Sequence, residues 1–220
     1  MKSEYQDPFW GSLSPLGGLS GAGIVIMASG RLAWAVTVSG ALLWVYILSV
    51  LASVFLSSAA CRKIFPIGGR SSVFTFISSF FGCLYLLLFW ILCPFAAMEV
   101  IFPLMLVPLF CAGSGIFRSI LSAGENTSLD IIETVSKAAS EAAILSLLVI
   151  IISLIREPLA YCTLTLPGTY RGIVTLISFK EGFLFPVHIF TGSAGALLLL
   201  GYITGLYNYL KKNNHPGGEE

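Results

Sequence analysis

Long apolar runs alternate with short polar connections along almost the whole chain. Two of these runs, Ala41–Ala60 and Val73–Leu92, each supply the roughly 20 consecutive apolar residues that a membrane-spanning helix needs. A third, Ala138–Ile155, is slightly shorter, and Phe185–Leu210 is long enough to span with tilt. The pattern therefore predicts several transmembrane helices that are joined by little polar sequence.

Two further apolar stretches contain many helix-breaking residues. Leu16–Val38 carries five glycines, and Pro94–Phe117 carries three prolines and two glycines. Proline removes a backbone donor, and glycine costs about 1 kcal/mol relative to alanine in a helix, so both stretches are predicted to be broken. We expect the breaks near Gly30 and between Pro103 and Gly113.

The positions of the broken stretches predict the architecture. If the chain has six spans, the broken ones are the first and the fourth, and each opens a block of three that must run inverted to the other. The predicted fold is an all-α integral membrane protein of six helices, built as inverted repeats over residues 16–92 and 94–210. They form one membrane domain, 1–212, with a short tail, 213–220. Such broken helices are typical of transport proteins, although glycine and proline also occur in transmembrane helices for packing alone.

Basic residues indicate the orientation, because cytoplasmic loops collect Lys and Arg. With the N-terminus inside, eight basic residues fall in the cytoplasm and three outside, while Arg31 falls within the membrane. Both termini are therefore predicted to lie on the cytoplasmic side of a bacterial inner membrane. Glu125–Glu141 is predicted to be an amphipathic lead into the fifth span, and Pro167–Gly182 to be the main external loop.

Composition supports a membrane protein and excludes several functions. Of the 220 residues, 56% are apolar and only 10% are charged, with a mean hydropathy of +0.91. A soluble domain usually carries about 25% charged residues. The net charge of +1 gives no reason to expect a nucleic-acid partner. The sequence shows no Ser/His/Asp arrangement, paired carboxylates or phosphate-binding loop, so we do not expect the chain to be an enzyme by itself.

Charged residues within or beside the apolar runs are the candidates for function. An ionisable group deep in a bilayer is costly and usually faces a protein interior, so Arg31 marks a candidate position. Arg156 and Glu157 close the fifth span. Adjacent residues do not face each other on a helix, so these two are expected to contact different partners.

Five motifs occur in the order and with the spacing of one known family. They are DPFW (7–10), RLAWAVT (31–37), IFPLMLVPLFCAG (101–113), LIREPL (154–159) and GSAGALLLLGYITGLYNYLKK (192–212). Together they resemble the D/E-type membrane subunit of the ion-pumping Rnf complex and of the Na+-translocating NADH:quinone reductase (Nqr) complex. The similarity runs from residue 7 to residue 212.

The resemblance implies a six-helix inverted repeat that pairs with a homologous A/E-type subunit of opposite topology. In that family a [2Fe-2S] cluster lies on the pseudo-twofold axis near the membrane midplane, held by two cysteines from each subunit. Cysteine sulfur is the usual ligand of such clusters. The implied function is to carry electrons across the bilayer between flavin- and iron–sulfur-carrying subunits, coupled to Na+ or H+ movement.

The same resemblance places Arg31 at the family's first cluster-ligand position, where it replaces cysteine. Arginine cannot ligate iron, because it stays cationic and has no acceptor. The second ligand position falls on Leu109 when the motif is aligned on Pro103 and Gly113, and on Cys111 when it is aligned on the cysteine. One interpretation is a cluster held with Cys111 and an altered fourth ligand. The other, which we expect, is a site empty of iron in which Arg31 pairs with a partner carboxylate, backbone carbonyls or another anionic cofactor.

Two other functions fit the same arrangement of helices. A substrate-binding membrane component of a vitamin or metabolite transporter has a similar number of helices and little loop, and it should bind a small molecule when purified alone. An electron-transfer subunit should instead copurify with several membrane partners. A purely structural scaffold within an Rnf/Nqr-type complex is favoured if no redox centre lies near Arg31.

Overall fold

Most of the described chain is helical. The computed structural model describes residues 19–56, 67–113, 131–168, 172–179 and 188–214. The helices in these ranges are α1 (Leu19–Ala28), α2 (Leu32–Leu56), α3 (Ile67–Leu92), α4 (Pro94–Gly113), α5 (Ile131–Tyr161) and α6 (Ser193–Asn214). Between α5 and α6 lie an antiparallel hairpin, β1 (Thr163–Pro167) and β2 (Ile173–Ser178), and a 3₁₀ turn, His188–Phe190.

Within the described residues, three helical stretches are long and apolar enough to cross a membrane. They are Leu32–Val54, Thr75–Leu92 and Ile132–Tyr161. Two shorter helices, Val100–Cys111 and Ser193–Leu206, are also apolar. The prediction of a helical, membrane-embedded protein is confirmed at this level. The structure adds a small β-hairpin, whose first strand precedes the predicted external loop Pro167–Gly182 and whose second strand lies within it.

Helices α2 and α5 form the centre of the fold. They run antiparallel, since Leu32 meets Glu157 at one end of the pair and Tyr46 meets Glu141 towards the other. About half of each apolar span is buried in the protein (56% and 50%), against 6% for α3. The interface between α2 and α5 is therefore the part of the described bundle that is best shielded from lipid.

The core consists of apolar side chains from α1, α2, α4 and α5. Its largest fully buried members include Tyr46, Ile24, Leu42, Leu145 and Ile152. Because lipid tails are as apolar as these side chains, close packing rather than removal from water stabilises helix association in a membrane. Interlocking side chains and internal hydrogen bonds therefore decide which helices meet.

The first predicted span is broken near Gly30, as expected, but the break is a turn between two helices. α1 ends at Ala28 and α2 begins at Leu32. A Cβ on Gly30 would lie 2.9 Å from the ring of Trp34, so glycine is the residue that fits here. Residues 32–38, predicted as the second half of the first span, are the opening turns of α2.

The predicted boundary between the first and second spans, at residues 38–41, is wrong. α2 runs without interruption through Ser39 and Gly40. A Cβ on Gly40 would lie 2.8 Å from the hydroxyl of Tyr85 on α3, and that hydroxyl donates a hydrogen bond to the backbone oxygen of Thr37 (3.0 Å). The glycine therefore serves the close approach of two helices and not a turn.

The predicted break in the fourth span, between Pro103 and Gly113, is wrong as well. α4 is one continuous helix with both of its internal prolines inside it. The ring of Pro108 packs at Gly82 of α3, where an added Cβ would lie 2.7 Å from the proline Cγ. Ser78 Oγ donates a hydrogen bond to the Pro108 carbonyl oxygen (3.4 Å). Neighbouring helices often accommodate proline in this way in membrane proteins.

Two further helix boundaries can be compared with the sequence. The boundary predicted at residues 92–94 is confirmed, because α3 ends at Leu92 and α4 begins at Pro94. The predicted end of the fifth span at Ile155 is wrong, since α5 continues to Tyr161. Residues 131–141, predicted as a surface lead into that span, are the first turns of the same helix.

Some predictions concern residues outside the described ranges. They include the DPFW motif at 7–10, the start of the first predicted span at 16–18, the ends of the second and fourth at 57–60 and 114–117, the segment 125–130, and most of the predicted tail, 215–220. α6 reaches Asn214, so the start of the predicted tail at residue 213 is still helical.

Gly82→Ala should destabilise the protein by about 1–3 kcal/mol, because the new methyl group overpacks against Pro108. Gly201→Ala in α6 is the matched control: a Cβ there meets nothing within 4 Å. That substitution should be neutral or stabilising by up to about 1 kcal/mol. Unfolding in mixed detergent micelles, followed by circular dichroism, measures both. Wild-type stability of Gly82→Ala would contradict the close approach of α3 and α4.

Candidate functional site

A buried arginine joins three elements at the end of the bundle where α1 turns into α2. Arg156 is 3% exposed. Its Nη1 donates hydrogen bonds to the backbone oxygen of Ile26 (3.2 Å) and to Ser29 Oγ (3.0 Å). Its Nε and Nη2 donate to the backbone oxygens of residues 190–192, over distances of 2.7 to 3.1 Å. The guanidinium thereby links the carbonyl end of α1 and the segment before α6 to α5.

The carboxylate of the adjacent residue, Glu157, binds the amide end of a helix. Glu157 is fully buried, and its Oε2 accepts a hydrogen bond from the backbone nitrogen of Leu32 (2.7 Å). Leu32 is the first residue of α2, whose unpaired amides form the positive end of the helix. Oε1 accepts a hydrogen bond from Thr165 Oγ1 on β1 (2.6 Å). Glu157 therefore takes the place of an N-cap side chain.

Two opposite charges thus stabilise two opposite helix ends. The turn brings the negative carbonyl end of α1 close to the positive amide end of α2. Arg156 binds the first and Glu157 binds the second. The prediction that these adjacent residues contact different partners is confirmed.

Arg31 lies in the turn itself. The sequence pattern places it within the first span, whereas in the structure it directly precedes the apolar stretch Leu32–Val54 and so stands at the end of a span. Its guanidinium carbon lies 5.7 Å from the ring centroid of Trp34 and 5.4 Å from that of Tyr161. Cation–π contacts of this kind stabilise a cation, so aromatic rings are among the partners that Arg31 uses.

The two candidates for the second ligand position, Cys111 and Leu109, lie far from Arg31. The ring of Phe110 packs against that of Tyr46 on α2, with centroids 5.7 Å apart. Tyr46 lies about 22 Å along α2 from Arg31, at 1.5 Å per helical residue. Cys111 is fully buried, whereas Leu109 is 58% exposed. The structure therefore does not bring the two predicted ligand positions together.

The residues present do not fit the [2Fe-2S] cluster that the resemblance implies. Arg31 has no lone pair to offer iron. The side chain of Cys111 is enclosed by the apolar core, so it cannot reach a cluster shared with another subunit in this arrangement. In the part of the chain that the structure describes, no three His, Cys, Asp or Glu side chains come together as a metal site.

A second buried carboxyl group lies between α2 and α5, nearer their other ends. Glu141 is 9% exposed, and its Oε2 accepts a hydrogen bond from the hydroxyl of Tyr46 (2.5 Å). Its Oε1 has no hydrogen-bond partner among the described residues, and neither does Oγ of Ser49, one turn from Tyr46 along α2. This site is polar, buried and only partly satisfied.

Sequence reasoning misses Glu141 because it assigns the residue to a surface segment. The signal that could have found it is the helical spacing of the small and apolar residues around it. Ala138, Ala142 and Leu145 are all fully buried. A carboxyl group within such a stripe belongs to the packed side of a helix.

The chain matches no family model, no curated protein and no solved structure. The grounds for a function are therefore the order of the sequence motifs and the geometry of the two buried polar clusters.

Proposed function

We propose that the chain is a membrane subunit of an Rnf/Nqr-type ion-translocating electron-transfer complex. The observation that supports it best is the order and spacing of the five sequence motifs that resemble this family, from residue 7 to residue 212. In the structure, Arg156 and Glu157 bind the two helix ends at the turn between α1 and α2. The two charged residues also belong to LIREPL (154–159), one of the motifs that resemble this family.

In this proposal the six helices are six spans in two inverted repeats, within the inner membrane of a bacterium. The connections 57–66 and 114–130 lie in the cytoplasm together with both termini, and the β-hairpin lies outside. This arrangement keeps basic residues such as Arg62, Lys63 and Arg118 on the cytoplasmic side, as the distribution of positive charge requires.

The proposed partners are a homologous six-helix subunit of opposite topology and subunits that carry flavin and iron–sulfur centres. Only 6% of the apolar span of α3 is buried within the chain, so most of that helix is available for contact with another subunit. Because Arg31 and Cys111 do not fit cluster ligation, the contribution of the chain to that interface in this proposal is packing surface.

Copurification tests the proposal. The tagged chain, extracted from its own membranes in a mild detergent, should bring down one similar six-helix subunit together with flavin-carrying subunits, identified by mass spectrometry. A stable monomer that carries a bound small molecule would instead indicate a component of a vitamin or metabolite transporter. A complex without flavin or iron–sulfur subunits would also contradict the proposal.

Cys111→Ser should leave the iron content of the purified complex unchanged, because the buried thiol does not reach a shared site. The exposed Cys83 provides a matched control as Cys83→Ser on α3. Iron analysis and low-temperature EPR of the reduced complex measure the result. A [2Fe-2S] signal that disappears with Cys111→Ser and persists with Cys83→Ser would make Cys111 a ligand and contradict this expectation.

Cysteine labelling tests the orientation. In a cysteine-free background, Ile177→Cys in the exposed strand β2 should react with a membrane-impermeant maleimide in intact cells. Lys212→Cys, at the end of α6, should react only after the membrane is opened. Labelling of position 212 from outside would reverse the proposed topology.

A further inference from the structure

The unsatisfied oxygen of Glu141 calls for a physical explanation. Burying a carboxyl group costs several kcal/mol unless its oxygens are hydrogen-bonded or its charge is removed. Tyr46 satisfies Oε2, but Oε1 has no partner among the described residues. Unsatisfied buried polar atoms in a native protein commonly mark a functional group or a bound species.

Two exposed charged residues precede Glu141 on the same side of α5. Glu133 and Lys137 lie eight and four residues before it on α5, so all three share one side of the helix. The first two are 63% exposed and form an ion pair of 2.7 Å, whereas Glu141 is 9% exposed. The carboxyl group is thus buried only about 6 Å along the helix from a solvated ammonium group.

The surroundings of Glu141 can take up a proton more easily than a metal ion. From α2 the titratable group that faces it is Tyr46, and the charged neighbour on its own helix is Lys137. α4 contributes the Phe110 ring, which packs on Tyr46. A proton needs only one lone pair of Oε1, whereas Na+ takes several oxygen ligands at once. Among the described residues, no three His, Cys, Asp or Glu side chains come together here.

Further hydroxyl groups continue along the α2–α5 interface beyond Glu141. Ser39 and Ser146 each direct their Oγ at the backbone oxygen of the other, at 3.3 and 3.5 Å. Ser153, closer to Glu157, is fully buried, and its Oγ has no partner among the described residues. Buried hydroxyls can donate and accept, so these serines supply polar positions along the interface between Glu141 and Glu157.

We propose that Glu141 is a proton-binding site that exchanges protons at the end of the bundle where α5 begins, and that it opens a proton path along the α2–α5 interface. A proton from water forms an O–H bond at Oε1, and the same bond breaks when the proton leaves, without transfer of electrons. The direction of the path, from the cytoplasm outwards, rests on the proposed function. The binding site itself does not.

Infrared difference spectroscopy tests the site directly. The purified full-length protein, in lipid and in any complex it forms, is switched between acidic and alkaline buffer. The C=O stretch of a protonated buried carboxyl group should appear and disappear, and Glu141→Gln should abolish that band. Glu133→Gln, which removes an exposed carboxyl group from the same helix, should leave it unchanged.

A second variant keeps the test decisive if Glu141→Gln does not fold. Tyr46→Phe removes the hydrogen bond to Oε2, so the same band should move to higher frequency. A spectrum that neither Glu141→Gln nor Tyr46→Phe alters would overturn the proposal. Absence of the band at every pH, together with Na+ binding that Glu141→Gln abolishes, would assign the site to Na+ and overturn the assignment to a proton. Failure to copurify redox subunits contradicts the proposed function and leaves this band in place.

Discussion

Glu157→Ala should lower the free energy of unfolding by about 3–5 kcal/mol, the range found when one partner is removed from a buried charged contact. The substitution leaves two hydrogen-bond donors without an acceptor, the backbone nitrogen of Leu32 and the hydroxyl of Thr165. Each buried donor without an acceptor costs about 1–3 kcal/mol. It also removes the negative charge at the positive end of α2.

The isosteric Glu157→Gln separates geometry from charge. Its amide oxygen can still accept from Leu32, and its amide nitrogen can donate to Thr165, so we expect a smaller loss of about 1–2 kcal/mol. Glu133→Ala is the control on the same helix, since Glu133 is 63% exposed and should change stability by less than about 0.5 kcal/mol. Equilibrium unfolding in mixed micelles measures all three. Equal stability of Glu157→Ala and Glu133→Ala would contradict the capping role.

Arg156→Ala should cost about 3–5 kcal/mol, because it removes a buried charged group and leaves several partly buried carbonyl oxygens without donors. Its effect should also be local. The segment 190–192 is held by this side chain, so backbone amides from residue 188 to the first turn of α6 should exchange hydrogen much faster. Hydrogen–deuterium exchange with mass spectrometry resolves that segment from the rest.

Arg156→Lys tests whether charge alone is sufficient. Lysine keeps the charge but loses the planar fork that reaches two groups of acceptors at once, so we expect a loss of about 2 kcal/mol and partial loosening of residues 190–192. Ser29→Ala removes one acceptor of Nη1 and should cost about 1 kcal/mol. Unchanged exchange at 188–195 in Arg156→Ala would show that other contacts hold the segment.

Hydropathy predicts the helices well because each needs a long apolar run, whatever its neighbours are. The prolines of α4 show where that reasoning fails. Pro103 and Pro108 are local signals for a break, yet α4 continues through both, and Gly82 of α3 leaves room for the ring of Pro108. The compensation lies on another helix, and no pattern within α4 reveals it.

At the candidate site, too, local sequence predicts how two side chains are oriented but not which distant residues they contact. The separation of Arg156 from Glu157 follows from helix geometry and is predictable. Their partners are not, because the acceptor at Ile26 and the donor at Leu32 lie 130 and 125 residues away in sequence. Similarly, Ser39 and Gly40 look like a turn in isolation, but the approach of Tyr85 explains the glycine.

The distance in sequence between Leu32 and Glu157 has a consequence for biosynthesis. A ribosome that adds about 5–20 residues per second needs roughly 6–25 s to make the 125 residues between them. Throughout that interval the turn between α1 and α2 has neither Glu157 nor Arg156 to bind its two helix ends. Water, lipid head groups or the insertion machinery must satisfy these helix ends until α5 arrives. The turn between α1 and α2 can therefore form its native contacts with Arg156 and Glu157 only after α5 has left the ribosome.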